Sequence, residues 1–309
     1  MVKNIFPKNR AKTKNKKKTN STRLAINLLV LGCVILVGVT GWLWWAKIVV
    51  NPDRVLNDTI SNNLRTKSIT KHVSQSGPEG GVEQTAYLSF FPPDINAQTK
   101  TILSQGSGSK TASITTDTIG TKTADYVRYS DVAGAEGLPG AERLNDLLGV
   151  WAKRQSNPAN GEQLTFLNET IFNVMLFGDL DNEQKTKLEE LIYKSNLYQY
   201  SSAEKRLENK RLVYVYDVSI NPEDLVTVIQ EYVRLTGVAD ADQFDPAQYK
   251  GVPPVKVQLT IDVFSRQLQK IEYSTGRVET YSGQNLFRPD NIPEQTIPID
   301  ELQKKLQGA

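Results

Sequence analysis

The chain has 309 residues, one histidine, one cysteine and a formal net charge of +3, so a zinc site built from His and Cys ligands is excluded by count. The charge is unevenly distributed, because residues 1–23 contain nine Lys or Arg and no acidic residue, whereas residues 51–309 contain 27 Lys and Arg against 34 Asp and Glu. The resulting negative charge of the long C-terminal part excludes nucleic acid as its expected partner on electrostatic grounds.

Residues 1–23 form a basic arm with few apolar side chains. Such a segment cannot bury enough apolar surface to fold alone, so we predict that it is disordered. Its positive charge predicts a cytoplasmic position and attraction to anionic lipid. Binding of nucleic acid or of a cytoplasmic protein by this arm stays a second interpretation.

Residues 24–45 form an uncharged run, LAINLLVLGCVILVGVTGWLWW. As a helix this run would be roughly 33 Å long, enough to cross a hydrocarbon core of about 30 Å. Trp42, Trp44 and Trp45 at its end are typical of a membrane interface. Together with the basic arm, the run predicts a single-pass transmembrane helix in the cell membrane, with a cytoplasmic N-terminus and with residues 51–309 outside.

Cys33 follows Val30-Leu31-Gly32, a sequence that is similar to a bacterial lipobox. Lipidation would make Cys33 the first residue of the mature protein and would leave the apolar residues 34–45 to be hidden. A cleaved signal peptide would need a shorter apolar core and a small-residue cleavage site. We therefore predict that Cys33 is a small apolar residue of the spanning helix, and the lipobox and cleavage stay open as alternatives.

The external part begins with a helix and continues with strands. Asn51-Pro52 predicts a helix start, and apolar residues recur at helical spacing up to about residue 66. Residues 67–130 are rich in Thr, Ser, Val, Ile and Tyr and are interrupted by Gly and Pro, which predicts about five strands. The fourth of these, near residues 110–118, has Ile114 as its only large apolar residue, so we place it at a sheet edge or with solvent on both faces.

The middle of the chain is predicted to be helical. Leu144, Leu147, Leu148 and Trp151 share one helical face. A later helix begins at Asp181, an N-cap residue that has Gln184 three positions on, as in a capping box.

Residues 164–177, LTFLNETIFNVMLF, are apolar most of the way round a helix, which is more than a surface helix needs. The pattern leaves two interpretations: a helix packed in the core on both sides, or a helix with one side on a hollow that holds an apolar ligand. Met and Phe side chains suit a pliable apolar pocket. The residues that we assign to ligand binding are Phe166, Leu167, Ile171, Val174 and Met175.

The last third of the chain reads as strands around one helix. Residues 211–220 and 255–263 alternate between apolar and polar side chains, as half-buried strands do. Asn221 caps a helix between them, and residues 267–274 and 277–284 continue the second strand as a meander. Strands and helices grouped in separate runs predict an α+β fold, in which a largely antiparallel curved sheet has helices packed on one side.

The order of these elements, with the stretches VYVYDVSINPEDLVTVIQEYV and VKVQLTIDVFSRQLQKIEY, resembles bacterial envelope proteins of the LolA and LppX/LprG type. The resemblance covers residues 52–307. It implies a half-barrel that wraps helices and holds lipid or lipidated protein in an apolar hollow. The predicted transmembrane helix departs from that pattern, since the carrier of this family diffuses freely and its relatives are lipoproteins.

The sequence contains no catalytic motif. His72 lies in a strand region, where we predict a polar strand residue, and no serine has a G-x-S-x-G setting. The carboxylates of Asp240, Asp242 and Asp245 lack the spacing of a calcium loop, so a solvated loop is favoured over a calcium site. We therefore expect no metal, no cofactor and no enzymatic activity, and a two-carboxylate hydrolase stays a third interpretation without a motif in its support.

The sequence thus predicts a membrane-anchored extracytoplasmic binding domain, with a lipid or another apolar ligand in a half-barrel cavity. The alternative is an interaction or scaffold ectodomain of the cell envelope that binds an envelope protein and no small molecule.

Overall fold

The computed structural model describes residues 30–31, 33–78, 80–91, 95–106, 112–134, 141–155, 164, 166–286 and 292–307. The chain divides into two compact units, Met1–Asn51 and Pro52–Ala309. The boundary coincides with the Asn51-Pro52 pair, where the sequence predicts the start of the external part.

The described part of the first unit is helical. Residues 30–31 and 33–44 are α-helical, and a π-helical turn, Trp45–Val49, follows them. Within the described part of the chain, no helix is both long enough and apolar enough to cross a membrane. The basic arm 1–23 and residues 24–29 of the predicted span lie outside the described residues.

The three tryptophans that the sequence assigns to a membrane interface are exposed. Trp42, Trp44 and Trp45 have 66%, 57% and 44% of their surfaces accessible, and Cys33 is an exposed free thiol. Their position in a membrane stays a prediction.

The second unit contains helices and strands in the order expected for an α+β fold. The helices are α1 (Pro52–Asn63), α2 (Ala141–Asp146), α3 (Phe166–Ile171), α4 (Asn182–Ser195), α5 (Pro222–Thr236) and α6 (Ile299–Gln307). Two short 3-10 helices, Ala241–Gln243 and Pro246–Tyr249, follow α5. The strands are β1 (Ser68–Gly77), β2 (Gly80–Ser89), β3 (Asn96–Gln105), β4 (Ala112–Thr121), β5 (Ala124–Ala133), β6 (Ala152–Gln155), β7 (Gln199–Glu208), β8 (Arg211–Ile220), β9 (Val255–Asp262), β10 (Leu268–Tyr273), β11 (Val278–Ser282) and β12 (Ile297–Pro298).

The described strands form one curved sheet in the order β12-β6-β5-β4-β3-β2-β1-β11-β10-β9-β8-β7. Neighbouring strands are antiparallel, and the β12–β6 pair alone is parallel. Because β12 and β7 lie at opposite ends of this order, the sheet is not closed into a barrel. The α+β class and the largely antiparallel curved sheet predicted from the sequence are confirmed.

The start of α1 and the cluster that contains Leu147 and Leu302 contact the same face of the sheet, here called the inner face. At Tyr216 of β8, the hydroxyl donates to the Pro52 carbonyl at the start of α1 at 2.8 Å. At the other end of the sheet, Leu147 and Leu302 pack with Ala152 in a small apolar cluster. One row of cross-strand neighbours on the inner face is Tyr129, Thr116, Thr101, Gln84, Val73, Glu279, Ile271, Leu259 and Tyr216.

Helices α4 and α5 begin and end at residues that the sequence marks. Asp181 accepts hydrogen bonds from the backbone N–H groups of the first turn of α4, and Gln184 bonds back to the Asp181 N–H, which confirms the predicted capping box. Asn221 caps α5, and Gly237 ends that helix in the left-handed conformation at φ 60°. α4 contacts both α1 and α5, since Lys185 Nζ donates to the Ser61 hydroxyl of α1 at 2.8 Å and Gln184 Nε2 donates to the Leu235 carbonyl of α5 at 3.0 Å.

The fourth strand does not lie at a sheet edge, and that prediction is wrong. β4 pairs with β3 on one side and with β5 on the other. The hydrogen bonds between strands are formed by backbone groups and do not depend on the side chains, so a Thr-rich strand can occupy the interior of a sheet. Most of its side chains are half-buried, so the alternative of solvent on both faces is wrong as well.

The helix predicted to reach Trp151 is shorter. α2 ends at Asp146, and β6 begins at Ala152, whose fully buried side chain pairs opposite Val127 of β5. β6 has only four residues, too few to give an alternating pattern in the sequence.

Candidate ligand-binding site

Residues 166–177, which the sequence assigns to a pocket wall, lie against the inner face of the sheet and are here called the cover segment. Its helix α3 ends at Ile171, so the prediction of one helix over residues 164–177 is wrong. The cause is Asn173, whose side-chain oxygen accepts a hydrogen bond from the Val174 N–H at 2.7 Å. An Asn side chain that bonds to nearby backbone competes with the helix for the same donors.

The start of the cover segment touches the sheet backbone at Gly120 of β4. A Cβ atom at this position would lie 2.7 Å from Phe166 Cδ1 and 2.9 Å from the backbone nitrogen of Leu167. Only a residue without a side chain permits this approach, because real Cβ contacts are longer. Gly120 therefore fixes how closely α3 can lie on the sheet.

The five residues predicted to bind a ligand all lie in the cover segment, and four of them are buried. Leu167, Ile171, Val174 and Met175 are 2%, 2%, 7% and 1% exposed, and Phe166 is half-buried. Because the helix ends at Ile171, Val174 and Met175 do not continue the helical face that contains Leu167. Whether a ligand contacts these residues stays a prediction.

Several backbone carbonyls of the cover segment accept hydrogen bonds from side chains and not from the backbone of a neighbouring strand. Buried backbone carbonyls need a hydrogen-bond partner. Three of them accept from buried side chains, each at 2.9 Å: Lys71 Nζ bonds to Thr170 O, the Tyr198 hydroxyl to Val174 O and the Tyr232 hydroxyl to Phe177 O. The cover segment is thus attached at discrete points along its length.

A fourth attachment point is Asn173, which reaches a polar cluster on β10 and β11. Its side-chain N–H group donates to Glu279 Oε2 and to the Tyr281 hydroxyl, the latter at 3.0 Å. Its side-chain oxygen accepts from the Tyr273 hydroxyl at 2.5 Å. The Tyr281 hydroxyl also donates to Glu279 Oε2 at 2.5 Å, so one amide joins three side chains of the sheet.

Glu279 is the charged centre of this cluster. Its side chain is fully buried, and a buried carboxylate is costly unless it is paired and hydrogen-bonded. Arg277 provides the pair, with its Nη2 atom 2.6 Å from Glu279 Oε1. Since 41% of the Arg277 side chain is exposed, the ion pair connects the buried cluster with solvent.

Burial also shifts the pKa values of Lys71 and Tyr281. It lowers the pKa of Lys71, an effect that Glu279 opposes and Arg277 reinforces. Burial raises the pKa of Tyr281 well above its usual value, and the Glu279 charge adds to this effect. The Tyr281 phenol therefore stays neutral at physiological pH and acts as a hydrogen-bond donor to the carboxylate.

The arrangement closes the cover segment over the sheet and does not present reactive groups to solvent. Lys71 is 3% exposed and Glu279 is fully buried, so neither reaches a dissolved substrate while the cover segment is in place. The geometry thus suits a structural attachment of the cover segment better than general acid–base chemistry.

Other candidates from the sequence have structural roles. His72 is exposed on β1, and its Nδ1 atom lies 3.1 Å from the Thr85 hydroxyl. Asp240 and Asp245 cap the two 3-10 helices. Among the described residues, no group of three or more His, Cys, Asp or Glu is placed to hold a metal ion.

The predictions from the sequence do not include the attachment of the cover segment to the sheet by Lys71, Asn173 and Glu279. Lys71 shares its strand phase with the apolar residues Ile69 and Val73, and a charged residue at such a position is a detectable signal. Asn173 within an apolar run is another. No protein-family model matches the chain, and no curated protein matches it either.

Proposed function

We propose that residues 51–309 form a membrane-anchored extracytoplasmic binding domain that holds a lipid or another apolar ligand between the inner face of the sheet and the cover segment. The observation that carries the proposal is the cover segment itself. It buries Leu167, Ile171, Val174 and Met175, it lies on an unclosed sheet, and three of its backbone carbonyls accept hydrogen bonds from buried side chains.

A comparison of energies supports this choice of ligand. Exposing a buried Leu, Ile, Val or Met side chain costs about 1.5–3 kcal/mol, so separating these four residues from the sheet costs about 6–12 kcal/mol. An acyl chain recovers about 0.8 kcal/mol per buried CH₂, or about 11 kcal/mol for fourteen carbons. A long apolar ligand offsets the apolar part of the separation cost, whereas a small polar ligand does not.

The relationship to LolA and LppX/LprG type proteins remains part of the proposal. An unclosed antiparallel sheet with helices on its inner face supports it, because a half-barrel that wraps helices has this arrangement. A protein tethered by a membrane helix would present its ligand at one membrane surface and would not ferry it across the envelope.

The test is photo-cross-linking of the purified full chain with a diazirine-labelled palmitic acid, followed by peptide mapping. The proposal predicts labels within residues 166–177 and on the inner-face strands, and it predicts that an excess of unlabelled palmitate removes them. Labels that stay confined to residues 24–45 would count against a ligand site in the external domain.

The predicted orientation has its own test. In a Cys33→Ser background, Ser202→Cys places a thiol on β7 at an exposed position. A membrane-impermeant maleimide added to intact cells should label this thiol if residues 51–309 are outside. Labelling only after cell lysis would place the domain in the cytoplasm.

The alternative function, an interaction ectodomain without a small ligand, is favoured by one observation. Leu207 and Phe264 are 73% and 58% exposed. Leu207 pairs with Leu212 across β7 and β8, and Val263, the residue before Phe264, donates its N–H to the Leu212 carbonyl. Capture of an envelope protein by a chain that takes up no palmitate, and loss of that capture in Leu207→Ser with Phe264→Ser, would favour this function.

A further inference from the structure

A groove of about 390 Å³ lies between α1, α4 and the start of β7, separate from the inner-face contacts of Leu167 and Ile171. Its volume falls within the range of about 300–1,000 Å³ that is usual for small-molecule sites. The apolar residues Leu56, Ile60, Ile192 and Leu197 line it, and each is at most 4% exposed. The accessible surface of the groove is therefore provided largely by its polar residues.

Three carboxamide side chains line the groove and are exposed: Asn57, Asn196 and Gln199. None of the three forms a side-chain hydrogen bond within the part of the chain that the structure describes. Asn196 is held in the left-handed conformation at φ 51°, where it ends α4. The groove thus offers planar donors and acceptors that internal bonds do not already use.

Two tyrosines, Tyr193 and Tyr200, line the groove together with the carboxamides. Tyr193 lines the groove and is 47% exposed. Tyr200 donates its hydroxyl hydrogen bond to Asp53, and its ring packs edge-on against Tyr216 with the ring centroids 5.3 Å apart. The first aromatic ring is free to be covered by a ligand, whereas the second is fixed.

The charge of the groove limits its ligand. Asp53 is the only acidic residue among those that line it, and no Lys or Arg lines it. Burial raises the pKa of Tyr200 to about 12, and the hydrogen bond to Asp53 contributes, so this phenol is neutral at physiological pH. A phosphate or carboxylate ligand would face the Asp53 carboxylate with no compensating cation among the lining residues, and is disfavoured.

We propose that this groove binds an uncharged saccharide. The apolar C–H face of a sugar ring can cover the exposed ring of Tyr193, and vicinal hydroxyls can pair with Asp53 and with the carboxamides of Asn57 and Asn196. Sugar hydroxyls can both donate to and accept from these polar side chains, whereas an acyl chain can do neither. Saccharide binding in this groove does not require a lipid between the cover segment and the sheet. Either of the two binding proposals can therefore be wrong while the other holds.

The test is isothermal titration calorimetry of the full chain with maltotriose and, separately, with the trimer of N-acetylglucosamine. The chain is kept in a polyoxyethylene detergent, because maltoside head groups are themselves saccharides. We expect saturable binding of at least one of the two probes, at or below about 1 mM. Absence of saturable heat for both probes up to about 20 mM would overturn the proposal.

Variants locate the binding. Asp53→Asn and Tyr193→Ala should each weaken the binding about tenfold, the effect of losing one good polar or stacking contact. Tyr249→Ala is the matched control, since Tyr249 is 41% exposed and lies outside the groove, and it should bind like the unaltered chain. Equal affinity of Tyr193→Ala and the unaltered chain would also overturn the proposal, as would tighter binding of glucose 6-phosphate than of both neutral probes.

Discussion

Asn173→Ala removes the attachment of the cover segment to β10 and β11. The substitution deletes hydrogen bonds to Glu279, Tyr281 and Tyr273 and the local bond to the Val174 N–H. A bond to a charged group contributes about 1.5–3 kcal/mol and a neutral one about 0.5–1.5 kcal/mol. Because the remaining partners rearrange in part, we expect a loss of about 3 kcal/mol.

Two measurements on the full chain check this value. A loss of about 3 kcal/mol lowers the thermal midpoint of a domain of this size by about 6–12 °C. If the loss acts by opening the cover segment, hydrogen exchange of peptides from residues 166–177 should accelerate about a hundredfold, and peptides from β8 and β9 should change much less.

Asn57→Ala is the control for the same chemical change at an exposed position. Asn57 lies in α1, and no side-chain hydrogen bond of this residue occurs within the described residues. Its replacement should change the stability by less than about 0.5 kcal/mol. Equal effects of the two substitutions, or equal acceleration of exchange throughout the domain by Asn173→Ala, would refute the attachment of the cover segment at Asn173.

Three further substitutions test the close approach at Gly120, the burial of Asp125 and the state of Cys33. Gly120→Ala forces a methyl group to within 2.9 Å of the Leu167 nitrogen, so it should destabilise the domain by about 1–3 kcal/mol in thermal unfolding. In the control Gly77→Ala, the new methyl group meets its nearest neighbour at an ordinary 3.6 Å and should not destabilise the domain. Equal thermal midpoints of the two variants would contradict the close approach. Burial raises the pKa of Asp125 from 3.8 to about 6 in the folded protein. The folded state therefore binds the proton more tightly than the unfolded state, and stability should fall as the pH rises from about 4 to about 6. Asp125→Asn should remove this dependence and stabilise the domain at pH 7 by about 1–2 kcal/mol after allowance for solvent screening, and an unchanged pH profile would refute the burial effect. Cys33→Ser should alter neither the release of the protein from membranes nor its mass beyond that of the substitution itself, and a diacylglyceryl group found on Cys33 as the N-terminal residue would show a lipoprotein instead.

Local sequence signals predict the regular elements well. β8 has the predicted limits of residues 211–220, and β9 covers Val255–Asp262 within the predicted 255–263, because both strands alternate between apolar and polar side chains. α4 starts at the predicted residue because Asp181 and Gln184 form a capping box. Each of these signals lies within a few residues of the element that it defines.

The candidate site depends on contacts that no local pattern contains. Lys71 is 99 residues from Thr170, and Asn173 is 106 residues from Glu279. The apolar periodicity of residues 164–177 predicts a helix, but Asn173 uses its side chain to reach the sheet and ends the helical run. The interior position of β4 is also a property of the whole sheet, since its backbone bonds to β3 and β5.

The central claim is that an apolar ligand lies between the cover segment and the inner face of the sheet. The most direct measurement is an experimental structure of the full chain purified from its own membranes. If an apolar ligand is bound there, such a structure should show continuous elongated density beside Ile171 and Met175, with the cover segment displaced from Lys71. Close packing of Ile171 and Met175 on the sheet without such density would contradict it, and would leave the domain as an interaction module.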